Sequence, residues 1–382
     1  MLQGVSRSHA EGLPLLVIGG GIGGMAFAIR ARAQGWDVHL IEADAKWRVA
    51  GAGISVTGPT YRALKRLGLL DAVRAEGYFI ETGSNICAPD GSIIAQVPMT
   101  PIEPGLPTAG GILRPRLHSI LSDRVRALDV KVRLGVTALA IDEQDKGVKV
   151  SFSDGTSGLF ALVVAADGAF SRTRTMLFPD APAPSYTGQY CWRTLAERPT
   201  EIDRPHFYMG HGITAGLMPC SENLMYLWLL ENVPARRRIN DAEAPSGLRA
   251  FLAPFGGALG RVRDQITDET EVISRPLDAL LLPRPWHKGR VVLIGDAAHA
   301  TTPHLASGAG IAVEDALVLS DLLEEGGEPE EIFTRFMDRR WERCRLVVES
   351  SVEIGAMQQA DASPEKLNIL MHTAQQTLRE DI

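Results

Sequence analysis

Residues 13–42 read LPLLVIGGGIGGMAFAIRARAQGWDVHLIE, and this stretch decides the fold. Leu15 to Ile18 is a short, wholly apolar run, as expected of a buried parallel strand. It runs into glycines at 19, 20, 21, 23 and 24. From Met25 to Gln34, alanine, isoleucine and phenylalanine recur among arginines, which predicts a helix that Gly35 ends. Val38 to Ile41 returns as a strand, completing a strand–helix–strand unit.

Gly19, Gly21 and Gly24 stand at the G-x-G-x-x-G positions. The first permits the turn, the second lets a pyrophosphate approach bare backbone, and the third lets helix and strand pack closely. Gly23 belongs to the same run and is counted among the cofactor contacts. The helix start would aim unpaired N–H groups and the positive end of its dipole at the phosphates. Glu42, at the end of the second strand, is placed to accept hydrogen bonds from an adenosine ribose. The pattern therefore predicts an adenine dinucleotide, with FAD and NAD both open at this point.

Outward from this unit, Pro59 to Leu70 predicts a helix, with a less regular stretch through Pro107. Arg116 to Leu128 reads as helix. Val130–Leu134, Ala138–Asp142 and Val148–Phe152 alternate like strands, and Asp154–Gly155 marks a turn. Leu162 to Ala166 is a further buried strand, ending at Asp167–Gly168. Between 184 and 274 the texture changes to short aromatic-bearing strands, among them Tyr190–Leu195, His206–Met209 and Met225–Leu230. Val291–Ile294 then reads as another buried strand, and Gly310–Leu323 as a helix.

The expected fold is α/β: a Rossmann-like nucleotide-binding domain interrupted by a mixed or antiparallel sheet domain, with a helical C-terminal segment. The expected division is a flexible tail at 1–12, the first part of the nucleotide domain at 13–183, a substrate domain at 184–274, the second part at 275–328, and helices at 329–382. Some insertions near 75–110 are assigned to the substrate domain.

Composition narrows the classes. The chain has 382 residues, with 46 acidic and 39 basic ones and a net charge of −7, which gives no reason to expect a nucleic-acid partner. Cys87, Cys191, Cys220 and Cys344 are far apart, so neither a zinc site nor a disulfide scaffold is expected and no metal is assigned. A reducing cytoplasmic setting is the simplest expectation. No run approaches 18 apolar residues, so no membrane span is expected. The oligomeric state is left as monomer or homodimer.

Two further motifs lie where sheet ligands bind. Asp167–Gly168 follows a buried strand. In Val291-Val-Leu-Ile-Gly-Asp-Ala-Ala-His299, a buried strand ends in glycine and a carboxylate, and Asp296 there would be costly to bury without a partner. Asp296 is expected to meet a sugar hydroxyl, with backbone N–H groups of Gly308, Ala309 and Gly310 near a flavin carbonyl. Arg114 and Arg116 precede a helix, as a phosphate contact or as a solvated basic turn.

Together GGGIGGMAFAIRARAQGWDVHLIE at 19–42, AADGAFSRTR at 165–174 and GDAAHATTPHLASGAGIAVEDA at 295–316 resemble the single-component FAD-dependent aromatic hydroxylases. These are the class A flavoprotein monooxygenases with the para-hydroxybenzoate hydroxylase fold, and the resemblance spans residues 13–345. It implies FAD as the bound cofactor, with Gly19, Gly21, Gly24 and Glu42 at its ADP-binding positions. Arg114 matches an arginine that contacts FAD, Asp167 and Gly168 match the family's Asp–Gly pair, and Asp296 matches the carboxylate at the flavin's sugar chain. Pro303 matches the proline beside the reactive edge of the isoalloxazine. The family's P-x-x-G-Q-G stands here as Pro303-His-Leu-Ala306-Ser307-Gly308. The halogenase signature W-x-W-x-I-P is absent.

The implied reaction has NADPH or NADH reduce the flavin as a transient co-substrate. O₂ then adds at flavin C4a, and the hydroperoxide transfers one oxygen to a small aromatic or N-heteroaromatic ring. An FAD-dependent epoxidase or other oxidase is the enzymatic alternative, and a flavin-bound sensor the non-catalytic one. A histidine near neutrality would suit deprotonation of a phenol-like substrate; His206, His211, His299 and His304 are open, and His211, between two glycines, is preferred. Tyr190, Trp192, His206, Tyr208, Tyr226 and Trp228 are candidates to line a flat pocket, and Arg193 to meet a substrate carboxylate. Strand alternation puts Tyr190 with Trp192 on one face, Arg193 opposite Trp192, and Tyr226 with Trp228 together.

Overall fold

The computed structural model describes residues 12–48, 51–210 and 212–382. Apart from Gly12, the expected tail lies outside the described residues.

The opening unit forms as its pattern dictates. Strand Leu15–Ile18 pairs in parallel with Val38–Glu42 on one side and Leu162–Ala165 on the other. The full order by first residue is 287, 291, 162, 15, 38 and 131, a six-stranded sheet that is parallel except at the edge strand His287–Lys288. Its central strands are buried on both faces, which explains their lack of polar alternation. Helix Ile22–Ala33 packs on this sheet and against the later helix Gly308–Glu325. Residues far apart in sequence thus close one nucleotide domain.

The second sheet has seven strands. In order they are Ile273–Ala279, Ser185–Glu197, Leu224–Asn232, Ile213–Pro219, His206–Gly210, Ser84–Cys87 and Ile93–Val97. All neighbours are antiparallel except 206–210 with 84–87. Strands from 84–97 therefore join the interrupting sheet, and Ile273–Ala279 carries that sheet to Ala279. One face of the sheet is covered by helices Ala244–Leu252 and Gly257–Gln265. Its other face turns toward the nucleotide domain, with the small sheet of Gly53–Thr57, Ala109–Leu113 and Tyr78–Ile80 between them.

The helix expected over Pro59–Leu70 is two helices, Gly58–Arg66 and Leu70–Glu76. Gly68, at φ 75°, takes the left-handed conformation that ends the first, so apolar periodicity ran across a turn. Helices Pro329–Gln359 and Pro364–Arg379 close the chain. Among the described residues, no helix is long and apolar enough to cross a membrane.

Candidate active site

The glycine turn is built for close approach. Gly19 has φ 105°, and a Cβ there would lie 2.4 Å from the Ala166 carbonyl oxygen. A Cβ on Gly24 would fall 2.0 Å from the Gly19 carbonyl oxygen, so this glycine seats the helix on the strand. Gly21 differs. A Cβ there meets nothing within 4 Å, and no side chain caps the helix it begins. The open space and free helix N–H groups make a cradle for phosphate oxygens. Gly23 also serves packing. A Cβ there would approach the Ala312 Cβ to 3.3 Å, so its missing side chain admits the 308–325 helix, while its N–H lies in the first turn of helix 22–33.

Glu42 stands beside this turn. One oxygen accepts the Gly20 N–H at 2.7 Å and the other the Asp44 N–H at 2.8 Å. Two backbone donors fix the carboxylate and leave lone pairs for ribose hydroxyls. Trp47, which the motif did not single out, donates its indole N–H to the Gly20 carbonyl at 2.9 Å and lies under the Arg126 guanidinium.

The Asp167–Gly168 loop is held internally. Asp167 accepts from the Ser171 hydroxyl at 2.5 Å and from the Thr173 N–H and hydroxyl at 3.0 and 2.9 Å. Its carboxylate organises the loop, with Gly168 at φ 82°. Arg174, also passed over in sequence, donates to the carbonyls of Ala169 and Ala297, both at 2.8 Å. It therefore ties this loop to the one that carries Asp296.

Asp296 begins the short helix Asp296–His299 after the φ 58° turn at Gly295. No hydrogen bond reaches its carboxylate among the described residues, and it is solvent-exposed although protein surrounds it. Burial pushes its pKa up, against the opposing pull of His299 and Arg114. Arg114 has the same character: exposed, enclosed, and its side chain unpaired among the described residues. Burial and the cation of Arg193 lower its pKa, while Asp296 acts the other way. These are the walls of a cleft. Gly308, Ala309 and Gly310 form the uncapped first turn of Gly308–Glu325. Gly310 abuts Thr60, whose hydroxyl would lie 2.3 Å from an added Cβ.

Beneath the cleft lies a buried ionic network. Asp315 accepts from the Gly295 N–H at 2.9 Å, the His299 ring at 2.6 Å and Arg340 at 2.8 Å. Arg340 also reaches Glu314 at 2.9 Å, and Arg343 grips the same Glu314. Burial opposes charge on Asp315, but His299 and Arg340 outweigh it and hold the carboxyl near pH 2. Burial likewise works against the imidazolium of His299, yet Cys344 and Asp315 raise its pKa well above the ordinary range. His299, Asp315 and Cys344 could geometrically hold a metal ion, but Arg340 already neutralises the carboxylate. The signal was present in sequence: Glu314–Asp315 interrupts an apolar helix, answered by Arg340 and Arg343.

Pro303 opens a short 3₁₀ turn through Leu305, closed by Ala306 at φ 50°. Where the family commonly has glycine, this alanine adopts the left-handed form. His304 bonds Thr302 at 2.8 Å and packs against Gly355 of the long C-terminal helix. Burial takes its pKa down to about 4, with Gln358 pulling slightly upward.

The seven-stranded sheet divides the expected substrate residues. Tyr226, Trp228 and Arg193 share the face toward the cleft, with Arg193 and Trp228 in direct register. Tyr226 bonds Ser55 at 2.5 Å, and its pKa is pushed up to about 12 by burial. The Trp228 indole lies across Gly216, where a Cβ would come within 2.5 Å of the ring.

Tyr190, Trp192, His206 and Tyr208 point to the other face, contrary to expectation. Tyr190 donates to the Arg237 carbonyl and Trp192 to Glu231 at 3.0 Å, and both pack in the core under helices 244–265. Tyr208 packs on Phe255, and His206 bonds Asn85 at 2.8 Å. Alternation paired these residues correctly; it did not say which face the helices would cover. His211 lies outside the described residues.

The residues fit a flavin dinucleotide. The Gly21 cradle would be filled by a Cβ, Glu42 has acceptor capacity to spare, and the Asp296 carboxylate has no partner of its own. An α/β nucleotide domain with this cradle, opening on the face of an inserted sheet, is the architecture of a flavoprotein monooxygenase. The chain matches the FAD binding domain family over residues 13–351 and belongs to it, as an FAD-dependent monooxygenase of the para-hydroxybenzoate hydroxylase-like class. It is 31% identical over 352 residues to 2-heptyl-3-hydroxy-4(1H)-quinolone synthase of Pseudomonas aeruginosa, covering 91% of this chain and 90% of that one. It is 29% identical to the FAD-dependent urate hydroxylase of Klebsiella oxytoca, covering 87% of each. Among solved structures, tetrameric 2-methyl-3-hydroxypyridine-5-carboxylic acid oxygenase superposes with a TM-score of 0.75 at 26% identity. That match covers 94% of this chain and 96% of the other.

Proposed function

We propose that the protein takes electrons from NADPH or NADH and uses O₂ to hydroxylate a small aromatic or N-heteroaromatic ring. The ring would lie between the cleft-facing side of the seven-stranded sheet and the Pro303 turn. One observation carries this reading. Asp296 and Arg114, unpaired among the described residues and read as cofactor contacts, lie near the face that bears Arg193, Tyr226 and Trp228. The names of the quinolone synthase, the urate hydroxylase and the hydroxypyridine-carboxylic acid oxygenase favour a nitrogen heterocycle.

Bound FAD would supply the redox chemistry: reduction by the nicotinamide and transfer of one atom of O₂ to the ring. The remaining tasks fall to the chain. Backbone amides at the start of helix 22–33 bind the pyrophosphate, Glu42 the ribose, and Asp296 a hydroxyl of the sugar chain. N–H groups of 308–310 and the Pro303 turn would help hold the flavin ring. Trp228 and Tyr226 offer flat walls that orient a ring and exclude water, which limits unproductive loss of reducing equivalents. The Tyr226 hydroxyl stays protonated at neutral pH and is held by Ser55, so it serves as a hydrogen-bonding group toward a ring substituent.

The test incubates FAD-loaded protein with NADPH or NADH and ¹⁸O₂ across hydroxylated pyridines, quinolones, purines and benzoates. One ¹⁸O atom per product is expected. Substrate-stimulated nicotinamide oxidation without label in the product would overturn the hydroxylase reading.

A further inference from the structure

We propose that Arg193 receives a negatively charged group on the substrate, so that the site selects anionic rings over their neutral analogues. This deepens the hydroxylase reading and rests on it.

Arg193 sits near the middle of strand Ser185–Glu197, opposite Trp228, on the face shared with Tyr226. It is only partly accessible, and among the described residues its side chain has no carboxylate or hydrogen-bond partner. Other enclosed arginines are handled differently. Arg174 donates to two carbonyls, and Arg340 is paired with the carboxylates of Asp315 and Glu314 and with a carbonyl. Those two are buried and need such partners, whereas Arg193 is part-open and keeps its guanidinium available to an incoming group.

The charges of the cleft do not balance without a ligand. Arg114 and Arg193 repel across it, and Asp296 is the carboxylate that offsets Arg114. Two guanidiniums against one carboxylate leave a positive charge. Asp296 and Arg114 are accounted for by the cofactor, whereas Arg193 is not. Beside it, the Trp228 indole over Gly216 forms a flat wall. A planar ring against that wall, with a carboxylate or an ionised ring hydroxyl or N–H at its edge, would complete the set. A guanidinium favours such a group because its planar fork can make two parallel charged hydrogen bonds.

The test uses FAD-loaded wild type, Arg193→Met and Arg193→Lys, titrated at pH 7.5 by flavin fluorescence. The probes are matched pairs: nicotinate with nicotinamide, 6-hydroxynicotinate with its amide, and salicylate with salicylamide. In wild type at least one acid should bind about 30-fold or more tightly than its amide. Arg193→Met should bring that preference within about 3-fold at unchanged amide affinity, and Arg193→Lys should restore part of it. The proposal is overturned if no acid is preferred, if the preference survives in Arg193→Met, or if that variant loses FAD, since Arg193 would then be a cofactor ligand. Oxygen incorporation is scored separately. Acid preference without labelled product would sink the hydroxylase reading and leave the anion site standing.

Discussion

Two glycines three residues apart, Gly21 and Gly24, should respond to alanine in opposite ways. At Gly24 an added methyl would sit 2.0 Å from the Gly19 carbonyl oxygen, which is backbone and cannot rotate aside. Restoring even a tight 3.0 Å contact requires helix 22–33 to retreat by about 1 Å, and overpacking of this kind costs about 1–3 kcal/mol. Gly24→Ala should therefore lower the melting temperature of the cofactor-free protein, by about 2–4 °C for each kcal/mol lost. At Gly21 the added methyl meets no protein atom, and φ −77° with ψ −176° is open to any residue. Gly21→Ala should cost the cofactor-free protein only about 0.5–1 kcal/mol as an N-cap change, yet put a methyl where phosphate oxygens belong. Wild type at FAD 100-fold above Kd gains about 2.7 kcal/mol of stability, and Gly21→Ala should lose nearly all of it. Melting curves with and without FAD, together with calorimetric FAD titration, separate the cases. A Gly21→Ala protein that binds FAD within 2-fold of wild type would refute the cradle.

Other outcomes follow from the same geometry. Arg340→Met leaves Asp315 and Glu314 buried with reduced compensation and should destabilise the fold by about 3–5 kcal/mol, measured by denaturant unfolding. Trp228→Ala should raise KM for the substrate, while Trp192→Phe, on the covered face, should change stability and leave KM unchanged; equal KM effects would contradict the assignment of faces. His304 has its pKa depressed to about 4, so its contribution is full above the unfolded value near 6.5 and disappears as pH falls toward 4. Acid unfolding should accordingly show a stability loss of at most about 3 kcal/mol across that window, absent in His304→Gln.

The nucleotide domain was legible because its signals are local. A buried strand, a glycine turn and a helix lie within thirty residues, and each choice has one steric cause. Asp296 was legible for a related reason, since a carboxylate at the end of a wholly apolar strand needs a partner. The sheet was harder. Alternation placed Tyr190 with Trp192 and Tyr226 with Trp228, but only helices 244–252 and 257–265 decide which face is core. The packing role of Gly23 was hidden because its neighbour, Ala312, is nearly 300 residues away in sequence. Arg174 was hidden because its partners are backbone carbonyls, which no side-chain pattern announces.

Titration of the cofactor-free protein with FAD and, separately, with FMN tests the central claim most directly. If backbone amides and Glu42 grip the ADP half, calorimetry should give one FAD per chain and at least about 1,000-fold weaker binding of FMN, which lacks the adenosine monophosphate part of it. Equal affinity for the two flavins, or no uptake of FAD, would contradict the account.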